Sequence, residues 1–310
     1  MSVDFKKVLV VGTGGIGGYY GAKLAQAGHQ VSFVCRSDFE HVRQHGLQIQ
    51  SYQGDFHVQP SQVLRDPREY KDQADLILVA TKVVPEIDLP TLLEPVLHPG
   101  SAILLIQNGI EIEKPLSERF PQIPLFSAIA FIGVSKIKPG VIHHQLRGNL
   151  EIGSYPANAP TQPDLWVDIF NQTGIETKKS ENIERSRWKK LIWNLAFNPI
   201  SVLTQANTQE MLENPKVEAL APKIMAEVIA LGRARGYQLE DHLIEKNMAA
   251  TYKMPPYKTS MLLDFLNDKP LETQAILDNP LQIGAELHIQ TPYIETLAAL
   301  TELLIEKKKS

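Results

Sequence analysis

Residues 7–17 read K-V-L-V-V-G-T-G-G-I-G, and how this stretch is read decides the fold. The first five form a short, continuous apolar run rich in β-branched side chains, the pattern of a strand covered on both faces. A G-x-G-x-x-G turn follows, then a helical stretch to about Ala27. Gly12 permits a tight turn, Gly14 lets the backbone approach a pyrophosphate, and Gly17 allows helix and strand to pack closely. The whole turn (Gly12, Thr13, Gly14, Gly15, Ile16 and Gly17) is therefore a dinucleotide-binding candidate, the helix N-terminus supplying oriented N–H groups for the anion. Alone the motif is weak. Its setting makes it specific, because Gly28 ends the helix and a second strand, V-S-F-V-C, follows at 31–35.

The end of that second strand selects the cofactor. An acidic residue there holds the ribose 2′-hydroxyl of NAD, whereas this chain has Arg36 followed by Ser37. A guanidinium suits a 2′-phosphate through fork-like charged hydrogen bonds, so the expected cofactor is NADP(H). Asp38 is read as the N-cap of a short helix at 39–44. Cys35 is read as a small buried residue and not as a nucleophile.

Two further apolar strands, 75–80 and 101–106, lead into Thr81-Lys82 and Gln107-Asn108-Gly109. Ligands of a doubly wound sheet sit at the carboxyl ends of its strands. Lys82 is there to meet a phosphate or the substrate, or is simply a solvated strand end. Asn108 is there to hold the nicotinamide ribose or carboxamide, or belongs to an Asn-Gly turn. From residue 125 the pattern changes: 125–134, 140–146 and 149–152 read as strands joined by turns at 138–140 and 147–148, too short for helices. Such connections favour antiparallel pairing at one edge of the sheet. The neighbouring His143 and His144 lie on opposite faces of their strand, without metal-ligand spacing. A helix at 164–172 and a strand at 175–178 complete a first domain, placed at 1–181.

After Asn182 helices dominate: 183–203, 215–235, 239–252, 261–266, 272–287 and 293–306. The fold class is therefore α/β, an N-terminal Rossmann-like doubly wound sheet with an antiparallel edge, followed by an all-helical C-terminal domain at 182–310. In the first of these helices, W-K-K-L-I-W-N-L-A-F-N-P at 188–199, Lys190, Asn194 and Asn198 stand at i, i+4 and i+8 on one stripe. The rest of the helix is apolar nearly all round and so reads as buried. Buried amides and an ammonium are costly unless something polar meets them. Either protein groups satisfy them or they line a polar cavity, and a cofactor-binding half upstream favours a cleft facing the nicotinamide. Ser260 sits at a helix start, where an N-cap role would explain it. Glu272 also opens a helix, where the macrodipole would explain it.

Bulk properties narrow the classes further. Of 310 residues, 43% are hydrophobic and 21% charged, which affords a full core. A formal charge of −4 argues against a nucleic-acid binder. No apolar run reaches the ~18 residues a bilayer span needs. The first residues, M-S-V-D-F-K-K, carry no apolar leader, and one cysteine fits a reducing cytoplasm, so the expected location is cytoplasmic. The lysine tail at 307–309 is expected to be a solvated end.

With these residues in hand, the chain resembles the ketopantoate reductase (2-dehydropantoate 2-reductase) family over nearly its whole length. The resemblance rests on G-T-G-G-I-G, Arg36, Thr81-Lys82, Gln107-Asn108-Gly109, the 188–199 stretch, T-S-M-L-L-D at 259–264 and Glu272, in that order. It implies a cytoplasmic NADPH-dependent reduction of a small 2-oxo acid, ketopantoate, to pantoate in coenzyme A synthesis. It also implies that Lys190 is the proton donor and that Asn194, Asn198 and Ser260 hold the substrate. Glu272 would lie where cofactor and substrate meet, with Lys82 and Asn108 contacting the cofactor. A monomer or homodimer is expected, with no nucleic-acid, membrane or metal partner. The chain departs from the family's pattern at Thr259, Glu111, Thr208 and Leu277-Asp278, which bears on the substrate more than on the reaction. The alternatives are a reductase of another branched 2-oxo acid and a non-catalytic NADP(H) sensor. For the mechanism, burial would lower the lysine's pKa toward working pH and Glu272 would oppose it, and the sequence does not say which prevails.

Overall fold

The computed structural model describes residues 5–309, with the side chain of residue 309 left out. The expectation of a leaderless N-terminus falls largely on residues 1–4, outside the described residues. The chain divides into two compact units: Met1–Lys82, Glu86–Gln107 and Glu113–Ile183 form the first, and Val83–Pro85, Asn108–Ile112 and Glu184–Ser310 the second. Two short pieces of the first half thus fold with the helices.

The first unit is built on ten strands: β1 (Lys7–Val11), β2 (Gln30–Val34), β3 (Leu47–Ser51), β4 (Phe56–Val58), β5 (Gln62–Leu64), β6 (Leu76–Val79), β7 (Ala102–Leu105), β8 (Leu125–Lys138), β9 (Val141–Ser154) and β10 (Thr177–Lys179). Their order is β4-β3-β9-β8-β7-β6-β1-β2-β5, with β10 paired to β9. The run from β5 through β1 to β8 is parallel, and its central strands V-L-V-V, L-I-L-V and A-I-L-L are buried along their length. That is the both-faces-covered pattern of a doubly wound sheet. Helices α1 (Gly15–Gln26), α2 (Phe39–His45), α3 (Leu89–Leu93), α4 (Lys114–Arg119) and α5 (Asp164–Gln172) connect the strands.

The antiparallel edge is present as the β8–β9 pair, but it is one long ladder and not three strands. Arg147 and Gly148, read as a turn, lie inside β9 at φ 56° and 133°, where the register shifts against Phe131 and Ile132. A bulge of this kind absorbs an extra residue without reversing the chain. Before the bulge, at residues 141–144, β9 also pairs in parallel with β3, which pairs antiparallel with β4, so two strands lie outside the β8–β9 pair. Neither β3, β4 nor β5 was expected from the sequence.

The second unit holds α6 (Ile183–Thr204, its first residue counted with the first unit), α7 (Thr208–Glu213), α8 (Pro215–Ala234), α9 (His242–Tyr252), α10 (Ser260–Leu266), α11 (Asn279–Glu286) and α12 (Pro292–Lys309). Helix α6 is its centre: Trp188, Leu191, Ile192, Leu195, Ala196, Phe197, Ile200 and Val202 are all buried in one cluster with residues of α8 and α11. The short α7, unexpected from the sequence, is capped by Asn207 in a reciprocal box with Glu210. The expected single helix at 272–287 begins instead as a π-helical turn, Gln274–Asp278. The lysine tail continues α12, and Lys308 bonds the Phe265 carbonyl and pairs with Asp268 at 2.7 Å, so it is an anchor and not a loose end. Among the described residues no helix is long and apolar enough to cross a membrane.

Candidate active site

The glycine turn of the first unit has the geometry its sequence implies. Gly12 adopts φ 101°, and a Cβ there would stand 2.6 Å from Thr81 N. At Gly17 a Cβ would meet the Gly12 carbonyl oxygen at 2.1 Å, so helix and turn touch there. Gly14 differs: nothing lies within 4 Å of its would-be Cβ, and as the N-cap of α1 it offers no side chain to the first N–H groups. An open cradle ending in uncapped helix amides fits a pyrophosphate. Gly15 packs on Val134 and Ser135, and Ile16 on the core, so both shape the turn. Thr13 Oγ1 donates to Val34 O at 2.9 Å, tying the turn to the end of β2.

Two residues past β2, Arg36 is exposed and makes no salt bridge among the described residues. Its neighbour in charge, Asp66, is engaged by Arg68 at 2.7 Å and has its carboxyl held down to about 2, mainly by that arginine. The Arg36 guanidinium also acts on that carboxylate through its charge, without a salt bridge to it. Asp38 corrects its expected role: its side chain makes no cap on α2 but is buried, accepting from Gly140 N and pairing with Lys136 Nζ at 3.1 Å. Burial pushes the Cys35 thiol up to about 11, consistent with an inert group. His144 is wholly buried in the first unit, bridging Ser51 Oγ and the Arg147 carbonyl, and among the described residues no cluster could hold a metal. Lys82 is half-buried after β6.

In the second unit the stripe on α6 is real. Lys190 Nζ donates to Asn108 Oδ1 at 2.8 Å, and Asn108 Nδ2 reaches Glu272 Oε2 at 3.5 Å. Glu272 Oε1 accepts from Val83 N at 3.2 Å. Glu272 does not open a helix as expected: it lies before the π-helical turn, and its carboxylate serves the strand-tip segments that joined this unit. Burial pushes the Lys190 ammonium down to about 8, the Arg187 guanidinium adds to that, and Glu272 opposes it. Asn194 and Asn198 are 7% and 2% exposed. Asn198 Oδ1 is buried without a hydrogen-bond partner, and Asn194 has no side-chain hydrogen bond among the described residues. An unmet buried amide oxygen such as that of Asn198 is costly, and a polar ligand would satisfy it.

Ser260 is not an N-cap. Thr259 holds that place, its Oγ1 accepting from Leu262 N and bonding Ser201 Oγ at 2.6 Å, which moors α10 to α6 just beyond Asn198. Ser260 begins α10 with an exposed side chain and no side-chain partner among the described residues. Thr208 is buried and bonds Tyr257 reciprocally, its N–H donating to the Tyr257 carbonyl and its hydroxyl oxygen accepting from the Tyr257 N–H, so it shapes the loop before α10. Sequence reasoning missed Arg187, 4% exposed, whose Nη1 donates to the Gly109 carbonyl at 3.1 Å. The signal was available, since 187, 190, 194 and 198 continue one 3-4-4 stripe.

An uncapped glycine turn in one unit, and in the other a lysine whose pKa is lowered to about 8 on a stripe with two asparagines, are the parts of a nicotinamide-dependent oxidoreductase. Comparison with known proteins agrees. Residues 8–157 match the family model "Ketopantoate reductase PanE/ApbA", and residues 182–304 match that of its C-terminal part. A 2-dehydropantoate 2-reductase from Nostoc sp. is 34% identical over 297 residues, covering 94% of this chain and 93% of the relative. The crystal structure of a 2-dehydropantoate 2-reductase from Methylococcus capsulatus superposes with a TM-score of 0.91 at 41% identity, covering 98% of each chain. D-mandelate dehydrogenase, solved with NADH and anilino(oxo)acetate, shares the fold at a TM-score of 0.89 and 19% identity. The chain belongs to the ketopantoate reductase family.

Proposed function

We propose that the chain reduces 2-dehydropantoate (ketopantoate) to pantoate with NADPH, residues 1–181 carrying the cofactor and residues 182–310 the reacting groups. When bound, NADPH supplies the hydride that adds to the 2-keto carbon. The turn from Gly12 to Gly17, through Thr13, Gly14, Gly15 and Ile16, holds the pyrophosphate. Arg36 holds the 2′-phosphate, and Lys82 and Asn108 contact the cofactor. Lys190 gives its Nζ proton to the oxygen that becomes the alcohol, and before that its charge steadies the developing alkoxide. Asn194, Asn198 and Ser260 hold the substrate through its oxygens. Glu272 keeps the ammonium oriented through Asn108 and limits how far burial lowers its pKa.

The observation that carries this reading is Lys190 itself: an ammonium pushed to about 8, bonded to a carboxamide at 2.8 Å, on one stripe with Asn194 and with Asn198, whose buried Oδ1 has no hydrogen-bond partner. An acid whose pKa lies near working pH transfers protons most effectively, and a nucleotide sensor has no chemical use for one. The test is NADPH oxidation with ketopantoate against a panel of branched 2-oxo acids. The highest kcat/KM is expected with ketopantoate. Preference for another panel member would redirect the substrate assignment, and NADPH binding with no turnover on any would refute the enzyme reading.

A further inference from the structure

Segment 108–112 is held in the helical unit by more than the Lys190–Asn108 bond. Ile110 N donates to Ala275 O at 3.1 Å, and Asn279 Nδ2 donates to Ile110 O at 2.8 Å. The π-helical turn explains the first of these. Asn279 N bonds back to Gln274 O, one residue further than in an α-helix, and Pro280, the next donor position, has no N–H. The Ala275 carbonyl is thereby left to the incoming segment. Gly109, at φ 94°, allows the approach, since a Cβ there would stand 2.2 Å from that of Ala275. On its other side the Gly109 carbonyl accepts from Arg187 Nη1 at 3.1 Å.

Arg187 lies one helical turn before Lys190. Two cations at that spacing on a buried face oppose each other, so the arrangement calls for a reason. We propose that Arg187 is a positioning residue for the proposed reaction: by holding the Gly109 carbonyl against α6 it fixes the Asn108 carboxamide, and the carboxamide fixes the Lys190 ammonium. The amide has one workable orientation. Lysine only donates, so Oδ1 faces it, and the Nδ2 donor faces the Glu272 carboxylate. The groups acting electrically on the ammonium are Arg187 from α6 and Glu272 from the residues before the π-helical turn, with neutral Asn108 from segment 108–112. Arg187 thus has two separable effects, an anchoring one on Asn108 and a like-charge one on Lys190.

The inference rests on Lys190 being the proton donor, so its test uses one readout that needs no turnover. In protein labelled at lysine, the Lys190 resonance is identified by its loss in Lys190→Met, and its titration is followed by NMR. Steady-state kcat and KM with NADPH and ketopantoate are measured alongside. Arg187→Met should raise the titration midpoint by about 0.5–1 pH unit and lower kcat roughly 10- to 100-fold with little change in KM. Arg187→Lys, which keeps the charge, should titrate like the parent and recover part of kcat. Asn279→Ala, which loosens segment 108–112 without touching a charge, should lower kcat and leave the midpoint in place. A parental midpoint and parental kcat in Arg187→Met overturn the proposal. Should that variant not fold, parental kcat in both Arg187→Lys and Asn279→Ala overturns it instead. If the parent oxidises NADPH with no 2-oxo acid, the functional reading fails, and the titration still decides what Arg187 does to Lys190.

Discussion

Lys190 is a residue the fold holds at some expense. Its ammonium, ordinarily at 10.5, is pushed to about 8. Below about pH 8 both native and unfolded chains carry the charge, and the penalty of burying it is fully present. Between about 8 and 10.5 the native chain releases its proton first, the unfolded chain binds more protons, and stability rises with pH. Two outcomes follow for Lys190→Met. At pH 7 it should lower kcat by about 10²–10⁴ and raise stability by on the order of 1–3 kcal/mol, read by thermal or denaturant unfolding. A less stable variant would mean that the buried ammonium is not strained. In the parent, kcat should fall as pH rises through about 8, since the deprotonated amine has no proton to give. The stripe itself was visible in the sequence because i, i+4 and i+8 place side chains together without any tertiary information. The partners Asn108 and Glu272 were named as site residues, but their bonds to Lys190 and to Val83 join positions far apart in sequence, which no local pattern encodes. Asp38 and Ser260 show the same limit at one-residue resolution: a capping position was recognised, yet one side chain was spent elsewhere and the cap lay at Thr259.

At the scale of elements, the strand–turn–helix β1–α1 separates two uses of glycine. Gly17→Ala would drive a methyl group into the Gly12 carbonyl, a backbone atom that cannot step aside, and should destabilise the chain by about 1–3 kcal/mol or more. Gly14→Ala meets no atom within 4 Å and keeps an ordinary φ of −86°, so folding should be unchanged. NADPH affinity in that variant should nevertheless fall at least about tenfold, because the methyl occupies the phosphate cradle. Denaturation curves paired with NADPH titrations check both, and an unaltered affinity in Gly14→Ala would exclude the cradle. The central strands were readable because burial on both faces makes them uniformly apolar. Strands β3, β4 and β5 were not, because L-Q-I-Q-S, F-H-V and Q-V-L are short, half-exposed and interrupted by polar residues. The Arg147-Gly148 bulge misled for a related reason. Positive φ at two successive residues marks a turn and a bulge alike, and only the partner strand tells them apart.

At the scale of the molecule, two separate cores mean that a single unfolding transition is not assured. Ligand linkage can still be read. NADPH at about 100 times its Kd should stabilise the unit that binds it by ~2.7 kcal/mol. Arg36→Ala should reduce that stabilisation while leaving the smaller effect of NADH in place, as measured by thermal shift. Equal shifts from the two nucleotides in the parent would remove the 2′-phosphate role from Arg36. One feature gives such experiments an unusual clarity. The lone cysteine lies at the end of β2, 1% exposed and with its thiol at about 11. A thiol-directed dye reaches it only when the sheet opens, so its uptake times that event and no other. Of the three tryptophans, Trp188 and Trp193 belong to the helical unit and Trp166 to the first, so in a Trp166→Phe variant the emission follows the melting of the helical unit alone. The chain carries a stopwatch in one half and a lamp in the other, and the two halves can be timed apart in a single cuvette.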